Sequence, residues 1–433
     1  MGNKHKDDKK NPEKFVSLKE FKERGQKVME SMNNMMFITI NLKNFKYFNQ
    51  TYGMKAGDEL LEHMKEHFCL SLPECKLATY TYADHISALL ELDDIDNSNK
   101  LNYLKNLGTS FVKEINRKYP LAKVHLNCGV YFVRDKYEAF EDVQDKGRYA
   151  RKSINDTYSN FIAVYTEEIG KKAMEEAGVI PLFEYAVENN TIQLYLQPKY
   201  TIDTQELIGA EALSRIIDRN GNVISPGIYI SVLEKSGLIT ELDRRMIYML
   251  IEKMNEWKND GLDLLTISVN LSRGDFTVPG FIEEIDKAIE DAGLPKEVFE
   301  FELTETVFCE NLDGIIEKIN SMREKGYKIS MDDFGTGYNS LHVLGIVPID
   351  IIKFDRGFVL NSLSTDKGFM IMSNLINTFN RLDFEIVCEG VETKEEEDLV
   401  SKTGCNIIQG YLHDKPLPIE EFESKYIRNR LAV

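Results

Sequence analysis

The sequence lacks several features that would assign a protein to a membrane, secreted or zinc-binding class. Its 433 residues contain no unbroken apolar run approaching the ~18 residues of a membrane-spanning helix. Its opening segment, MGNKHKDDKKNPEK, is charged and lacks the apolar core of a secretory signal. The six cysteines form no CxxC pair and no zinc-like set with the seven histidines, a pattern typical of reduced thiols and of a cytoplasmic protein.

Basic residues are also in deficit. Lys and Arg total 53 against 71 Asp and Glu, which gives a net charge of −18. This charge argues against a nucleic-acid polymer or an anionic membrane as the partner. It still allows a small anionic ligand, because bound cations can reverse the sign of the local charge.

Apolar residues make up 42% of the chain, enough for real cores in two or three domains. We expect residues 1–14 to form a disordered tail. Helix and strand patterns then alternate over 15–165, including a strong strand pattern at 35–42, and predict one compact domain. Residues 166–178 have the charged, thinly amphipathic pattern of a helical linker.

The hydrophobic pattern changes over residues 179–433, where eight short apolar strand patterns alternate with amphipathic helical patterns. This arrangement predicts an α/β fold, a TIM-like (β/α)8 barrel. An open doubly wound sheet is the alternative, but no GxGxxG fingerprint follows its first strand.

Polar and charged residues stand at the ends of these predicted strands. In a barrel, the C-terminal ends of the strands share one rim, where active sites are built. Many carboxylates in one crevice require cations, and oxygen ligands without His or Cys favour Mg²⁺ or Mn²⁺. The residues at these ends are Glu211, Asn270, Glu302, Asp332, Asp333, Lys353, Glu389 and Gln409.

Two of these positions have alternative interpretations. The pair Asp332–Asp333, followed by a glycine-rich turn, would on its own fit a solvated acidic turn as well as a cation site. Lys353 could form a Schiff base in a barrel, but that chemistry needs a lysine whose charge is suppressed. The surrounding acids favour a fixed cation instead.

The segment NLKNFKYFNQTYGMKAGD, residues 41–58, resembles the opening motif of GGDEF domains, the family that makes cyclic di-GMP. The resemblance implies a smaller α+β domain with a central, mainly antiparallel sheet. Asn41 and Lys43 replace two aspartates of that family, and the signature has become Tyr82-Ala83-Asp84-His85-Ile86. We therefore predict no cyclase activity.

Two positions of this first domain still match the guanine contacts of the family, Asn49 and Asp58. They leave two interpretations open. The domain is either a remnant that binds GTP and tunes the rest of the chain, or a structural or dimerising remnant, which we favour.

The second part resembles EAL domains, a family of cyclic di-GMP phosphodiesterases. Eight motifs occur in the family's order: LQPKY from 196, GAEALSR from 209, SVNLS from 268, FELTET from 301, DDFGTGYNSL from 332, IKFDRGFV from 352, EGVET from 389 and QGYLHDKPLP from 409. The resemblance implies hydrolysis of cyclic di-GMP to linear pGpG in a homodimer. A receptor that binds cyclic di-GMP without turnover is the alternative.

Carried over residue by residue, the resemblance assigns a role to each motif position. Two cations would be held by Glu211, Asn270, Glu302, Asp332, Asp333 and Glu389. The catalytic residues would be Lys353, Glu389 and Glu211, and the substrate contacts Gln197, Arg215, Asp355 and Gln409. Glu305 would anchor the loop after Asp333.

Overall fold

The fold of the chain is given by a computed structural model. The structure describes residues 14–82, 84–92, 97–154, 161–304, 307–308, 312–335 and 344–428. The predicted tail therefore lies, apart from Lys14, outside the described residues. The chain divides into two compact units, Met1–Ala177 and Gly178–Val433. None of the helices in the described ranges is long and apolar enough to cross a membrane.

The first unit contains one five-stranded sheet and the helices that cover it. Its strands are β1 (Met35–Lys43), β2 (Cys75–Tyr82), β3 (His85–Glu91), β4 (His125–Val133) and β5 (Ile162–Val164). Its helices are α1 (Leu18–Glu30), α2 (Phe45–Tyr52), α3 (Met54–Lys65), α4 (Asn97–Lys118) and α5 (Phe140–Lys152), with a short π-helix at Glu66–Leu70. The strand order is β2-β3-β1-β4-β5, and only the β4–β5 pair among these is parallel. The predicted α+β domain with a mainly antiparallel sheet is confirmed.

Strand β1 explains why both faces of this sheet are covered. Every residue from Met35 to Leu42 is buried. Because successive side chains of a strand point to opposite faces, Ile38 and its alternate neighbours join one apolar cluster, while Phe37 joins a second with Phe21 and Phe140. The first unit is thus a sheet between two layers of helices.

Helix α6 (Glu167–Asn189) contains the boundary between the units and continues past the predicted linker. The strands of the second unit are β6 (Ile192–Thr201), β7 (Leu207–Ile217), β8 (Val223–Ile224), β9 (Thr266–Asn270), β10 (Phe299–Thr304), β11 (Lys328–Phe334), β12 (Ile351–Phe354), β13 (Glu385–Glu389), β14 (Ile407–Gln409) and β15 (Leu417–Pro418).

The helices of the second unit are α7 (Pro226–Ser236), α8 (Ile239–Asn259), α9 (Arg273–Thr277), α10 (Phe281–Asp291), α11 (Leu312–Glu324), α12 (Arg356–Leu363), α13 (Asp366–Asn380), α14 (Lys394–Lys402) and α15 (Ile419–Phe422). A 3-10 turn covers Lys296–Val298, and a π-helix covers Glu423–Ile427. The large apolar core of the unit joins residues of these helices to the outward-facing residues of the strands.

Eight strands close into the predicted barrel in the order β6-β14-β13-β12-β11-β10-β9-β7, with β7 pairing back to β6. One feature departs from an all-parallel barrel, because β6 runs antiparallel to both of its neighbours, β7 and β14. The cause is local: residues 202–206 join β6 to β7 as a hairpin, and a connection this short cannot make a parallel crossover.

Candidate active site

The strand pleat decides which side chains enter the barrel. On β10, Phe301 and Leu303 belong to the outer apolar core, so Glu302 points inward. The same alternation sends Ile352 and Phe354 outward and Lys353 inward. As a result, polar groups that would disrupt the packing against the helices lie together inside the barrel.

Lys353 is the centre of this polar interior. Its side chain is fully buried, and its Nζ lies 2.6 Å from Glu302 Oε2 and 2.6 Å from Glu389 Oε1. Asp332 Oδ1 is 3.1 Å away and Glu211 Oε2 is 3.4 Å away. Carboxylates from four strands therefore meet at one ammonium group, as expected from the residues at the strand ends.

The electrostatics of the group follow from its burial. Burial raises the pKa of Glu211 to about 7, with the Glu302 carboxylate adding to the effect, and raises the pKa of Asp332 to about 6. The pKa of Glu389 is also raised, chiefly by burial. Burial would raise the pKa of Glu302 as well, but Lys353 and a second lysine, Lys199, outweigh it and lower that pKa to about 2.

Amide side chains complete the wall around Glu211. Gln409 Nε2 donates to Glu211 Oε2 at 2.6 Å and to Gln197 Oε1 at 3.2 Å. Asn270 Nδ2 donates to the other oxygen, Glu211 Oε1, at 3.4 Å. The structure thus brings Gln197, Asn270 and Gln409 into one network with the carboxylates.

Asp333 breaks the pleat at the rim. Its φ is 56°, in the left-handed region that a non-glycine residue rarely adopts, and the β11–β12 register shifts between Met331 and Phe334. The irregularity turns the Asp333 side chain to an exposed position beside the mouth. Although Asp333 is partly exposed to solvent, its carboxyl loses some of its hydration beside the mouth, and this desolvation, together with the charge of Asp355, raises its pKa.

Two predicted substrate contacts lie outside the central network. The Arg215 guanidinium stacks on Tyr195, with its carbon 5.3 Å from the ring centroid, and donates to the carbonyl of Ser214 at 2.7 Å. Asp355 is the N-cap of α12 and accepts from the Gly357 amide at 2.8 Å through Oδ1. Their contacts with a substrate stay predictions, and Glu305 lies outside the described residues.

Sequence reasoning missed Lys199. Its Nζ lies 3.2 Å from Glu302 Oε1 and 3.1 Å from Glu300 Oε2, and it donates to Ser268 Oγ at 2.9 Å. The available signal was its position: it follows Gln197 by two residues on a strand, so both side chains face the same way.

The carboxylate and amide oxygens inside the barrel are the donors that the two predicted cations would need. Within the part of the chain that the structure describes, no three His, Cys, Asp or Glu side chains already form a ready-made shell for an ion. The carboxylates instead converge on the Lys353 ammonium, so the site already gathers oxygen donors around positive charge. This donor chemistry fits Mg²⁺ or Mn²⁺.

The corresponding positions in the first unit carry little negative charge. Asn41 pairs in register with His85 on one side and Asn127 on the other. His85 Nδ1 lies 2.9 Å from Asp84 Oδ1, which leaves a single carboxylate at this turn. Among the described residues around Asn41 and His85, no group of carboxylates comparable to that inside the second unit is found.

The two predicted guanine contacts sit where helices α2 and α3 meet. Asn49 Oδ1 is buried without a hydrogen-bond partner among the described residues. Gly57 lets the helices approach, since a Cβ there would lie 1.9 Å from Asn49 Oδ1, and exposed Asp58 follows it.

Comparisons with known proteins agree with the two units. The EAL domain family model matches residues 183–416, more than half of the chain, and the model described as Diguanylate cyclase, GGDEF domain matches residues 12–157. The chain therefore belongs to the EAL-domain family, with a GGDEF-type domain preceding the EAL domain.

Individual relatives are similar at moderate identity. Signaling protein YkoW of Bacillus subtilis is 26% identical over 393 residues, covering 90% of this chain and 49% of that protein. The bifunctional diguanylate cyclase/cyclic di-GMP phosphodiesterase MucR of Pseudomonas aeruginosa is 26% identical over 401 residues, covering 92% of this chain and 58% of that protein. The chain thus spans about half the length of these relatives.

A solved structure described as PaMucR Phosphodiesterase, c-di-GMP complex, shares 31% sequence identity with this chain at a TM-score of 0.53. The match covers 56% of this chain and 99% of that one. It supports both the barrel and the family.

Proposed function

We propose that the second unit is a metal-dependent phosphodiesterase that hydrolyses cyclic di-GMP to linear pGpG. The observation that carries the proposal is the convergence of four carboxylates, each from a different strand, on buried Lys353. None of the ligands that the family resemblance implies is missing from the sequence. A related EAL structure is described as a cyclic di-GMP complex, which supports this dinucleotide as the ligand.

The cations would be held by Glu211, Asn270, Glu302, Asp332, Asp333 and Glu389. When bound, two Mg²⁺ or Mn²⁺ ions would lower the pKa of water and offset the charge that grows on the phosphoryl oxygens. The water oxygen would bond to phosphorus and lose one proton, while the bond from phosphorus to the 3′ oxygen breaks and that oxygen takes up a proton. The opened ring is pGpG, with a new 3′ hydroxyl and a terminal 5′ phosphate.

The chain's own residues orient these groups. Gln409 and Asn270 each donate to one oxygen of Glu211 and so fix its carboxylate plane. Lys353 keeps a positive charge inside the barrel, where it stabilises a phosphate more strongly than in water. Arg215 and Gln197 would bind the substrate, because a guanidinium matches the geometry of a phosphate.

The test is a hydrolysis assay with purified full chain, Mn²⁺ and cyclic di-GMP, in which pGpG is separated by chromatography. We expect wild type to form pGpG and Glu211→Ala to lose at least about 100-fold in rate. Glu385→Ala is the matched control, because Glu385 is exposed at the opposite end of β13 from Glu389. Intact cyclic di-GMP after incubation with wild type would refute the proposal.

The hydrolysis assay, combined with calorimetry, distinguishes a phosphodiesterase from a receptor that binds cyclic di-GMP without hydrolysing it. A non-hydrolysing receptor would bind cyclic di-GMP tightly in calorimetry and leave it intact in the presence of Mn²⁺. The complete ligand set favours turnover, because a binding module has no need of Lys353 and six cation ligands in one place.

For the first unit we propose a regulatory or dimerising role without cyclase activity. Asn41 and His85 replace carboxylates that a cation pair would need, which supports the loss of that chemistry. Incubation with GTP and Mg²⁺ should give no cyclic di-GMP, and sedimentation should show a homodimer. GTP binding that is weakened by Asn49→Ala would favour a nucleotide-binding remnant instead.

A further inference from the structure

Lys199 contacts the carboxylate cluster from the side opposite the mouth of the barrel. It lies on antiparallel β6, so its side chain enters the barrel nearer the N-terminal ends of the parallel strands than Gln197 does. A cavity of about 400 Å³ at that end is lined by Lys199, Glu300 and the first residues of β9, β11 and β13. Lys199 thus stands between this cavity and the carboxylate cluster.

The Glu302 carboxylate is held at both oxygens by two different lysines. Lys199 Nζ lies 3.2 Å from Oε1, and Lys353 Nζ lies 2.6 Å from Oε2. All three side chains are 5% exposed or less. A carboxylate anchored at one oxygen can rotate about its last bond, whereas two opposed anchors fix its plane.

Lys199 also has a second acidic neighbour, Glu300, so its contact with Glu302 has to be distinguished from a structural ion pair with Glu300. Glu300 and Glu302 are two residues apart on β10 and therefore share one face of the strand, so both carboxylates point into the barrel. Glu300 lies 3.1 Å from Lys199, and no contact joins it to Lys353 among the described ion pairs. Lys199 could therefore serve Glu300 alone, as a structural ion pair.

We propose that Lys199 is a positioning residue for the active site, which fixes Glu302 Oε1 so that Oε2 faces Lys353 and the cations. The inference rests on the proposed function, because Glu302 is one of the proposed cation ligands. The inference is supported by the contact of Lys199 with both carboxylates. A lysine that served only to neutralise Glu300 would not need to contact Glu302 as well.

The test compares Mn²⁺ affinity by calorimetry in wild type, Lys199→Met and the double variant Lys199→Met/Glu300→Gln. The double variant removes the charge that Lys199 would neutralise in a purely structural pair. Outer-shell residues of metal sites typically contribute about 10- to 100-fold in metal affinity. We expect the double variant to recover the thermal midpoint that Lys199→Met loses, yet to bind Mn²⁺ at least about tenfold more weakly than wild type.

Wild-type Mn²⁺ affinity in the double variant would overturn the inference, because Lys199 would then serve Glu300 alone. A second measurement needs no variant: in a crystal structure of the Mn²⁺-loaded wild type, Glu302 Oε1 should stay within hydrogen-bond distance of Lys199 Nζ. A Glu302 carboxylate rotated away from Lys199 would also overturn it. If wild type itself binds no Mn²⁺ and leaves cyclic di-GMP intact, the proposed function fails instead.

Discussion

Lys353→Met removes the ammonium group that four carboxylates share and leaves a side chain of similar length. In wild type the four Nζ–oxygen distances run from 2.6 to 3.4 Å, and the lysine is fully buried. In the variant, Lys199 still carries a positive charge beside the group, and among the described ion pairs it contacts only Glu302 of the four.

The size of the effect follows from burial. Removing one partner of a buried ion pair costs about 3–5 kcal/mol, because the other charge is left without compensation. For a domain of this size each kcal/mol lowers the Tm by about 2–4 °C. We therefore expect the metal-free variant to melt about 10 °C below wild type in the transition of the second unit.

Scanning calorimetry at pH 8.5 in EDTA measures this difference. That pH lies above the raised pKa values of Glu211 and Asp332 in wild type, so both carboxylates are ionised there. Lys287→Met, which removes an exposed lysine on α10, is the control and should shift the Tm by less than about 2 °C. Mn²⁺ should then raise the Tm of Lys353→Met more than that of wild type, because the ion replaces the missing charge.

Two results would contradict these expectations for Lys353. One is a metal-free Lys353→Met that melts with wild type, since the lysine would then not compensate the carboxylates. The other is an equal Mn²⁺ shift in both proteins, since the cations and the lysine would then not share the same acidic group.

Three further outcomes follow from the contacts of other residues. Arg215→Ala should raise KM for cyclic di-GMP about tenfold, because the substrate loses one charge-assisted hydrogen bond. Arg219→Ala is the control: it removes another arginine stacked on a tyrosine and should leave KM unchanged. Burial would raise the pKa of Asp286, but hydrogen bonds from Lys296, Lys325 and a tyrosine lower it to about 2. Asp286→Asn should therefore cost about 2 kcal/mol of unfolding free energy at pH 7 in urea titrations, and the difference should shrink as the pH falls from about 4 to 2, where the wild-type carboxylate takes up its proton. Stripping the protein with EDTA should abolish pGpG formation and added Mn²⁺ should restore it; activity that survives EDTA would contradict the cation requirement.

The sequence was most informative where the strand pleat alone decides the outcome. Apolar and polar residues alternate on β10, so the burial of Glu302 inside the barrel could be predicted from neighbours such as Phe301 and Leu303. The same alternation on β12 placed Lys353 among the acids. Closure of the barrel then brings such residues together at one rim, whichever strands they come from.

Other features depend on geometry that local patterns do not encode. The direction of β6 could have been inferred from its short connection to β7, but the contact from Lys199 to Glu302 depends on how closure brings β6 across from β10. The left-handed Asp333 accompanies the shift in register at the rim, and an aspartate tolerates that backbone region better than most residues without predicting it.

Anomalous diffraction from crystals soaked in Mn²⁺ tests directly whether the barrel mouth holds two cations. We expect two peaks at the mouth of the barrel, within coordinating distance of Glu211, Asn270, Glu302, Asp332, Asp333 and Glu389. An unoccupied mouth at Mn²⁺ concentrations that support hydrolysis, or peaks bound by other residues, would contradict this expectation.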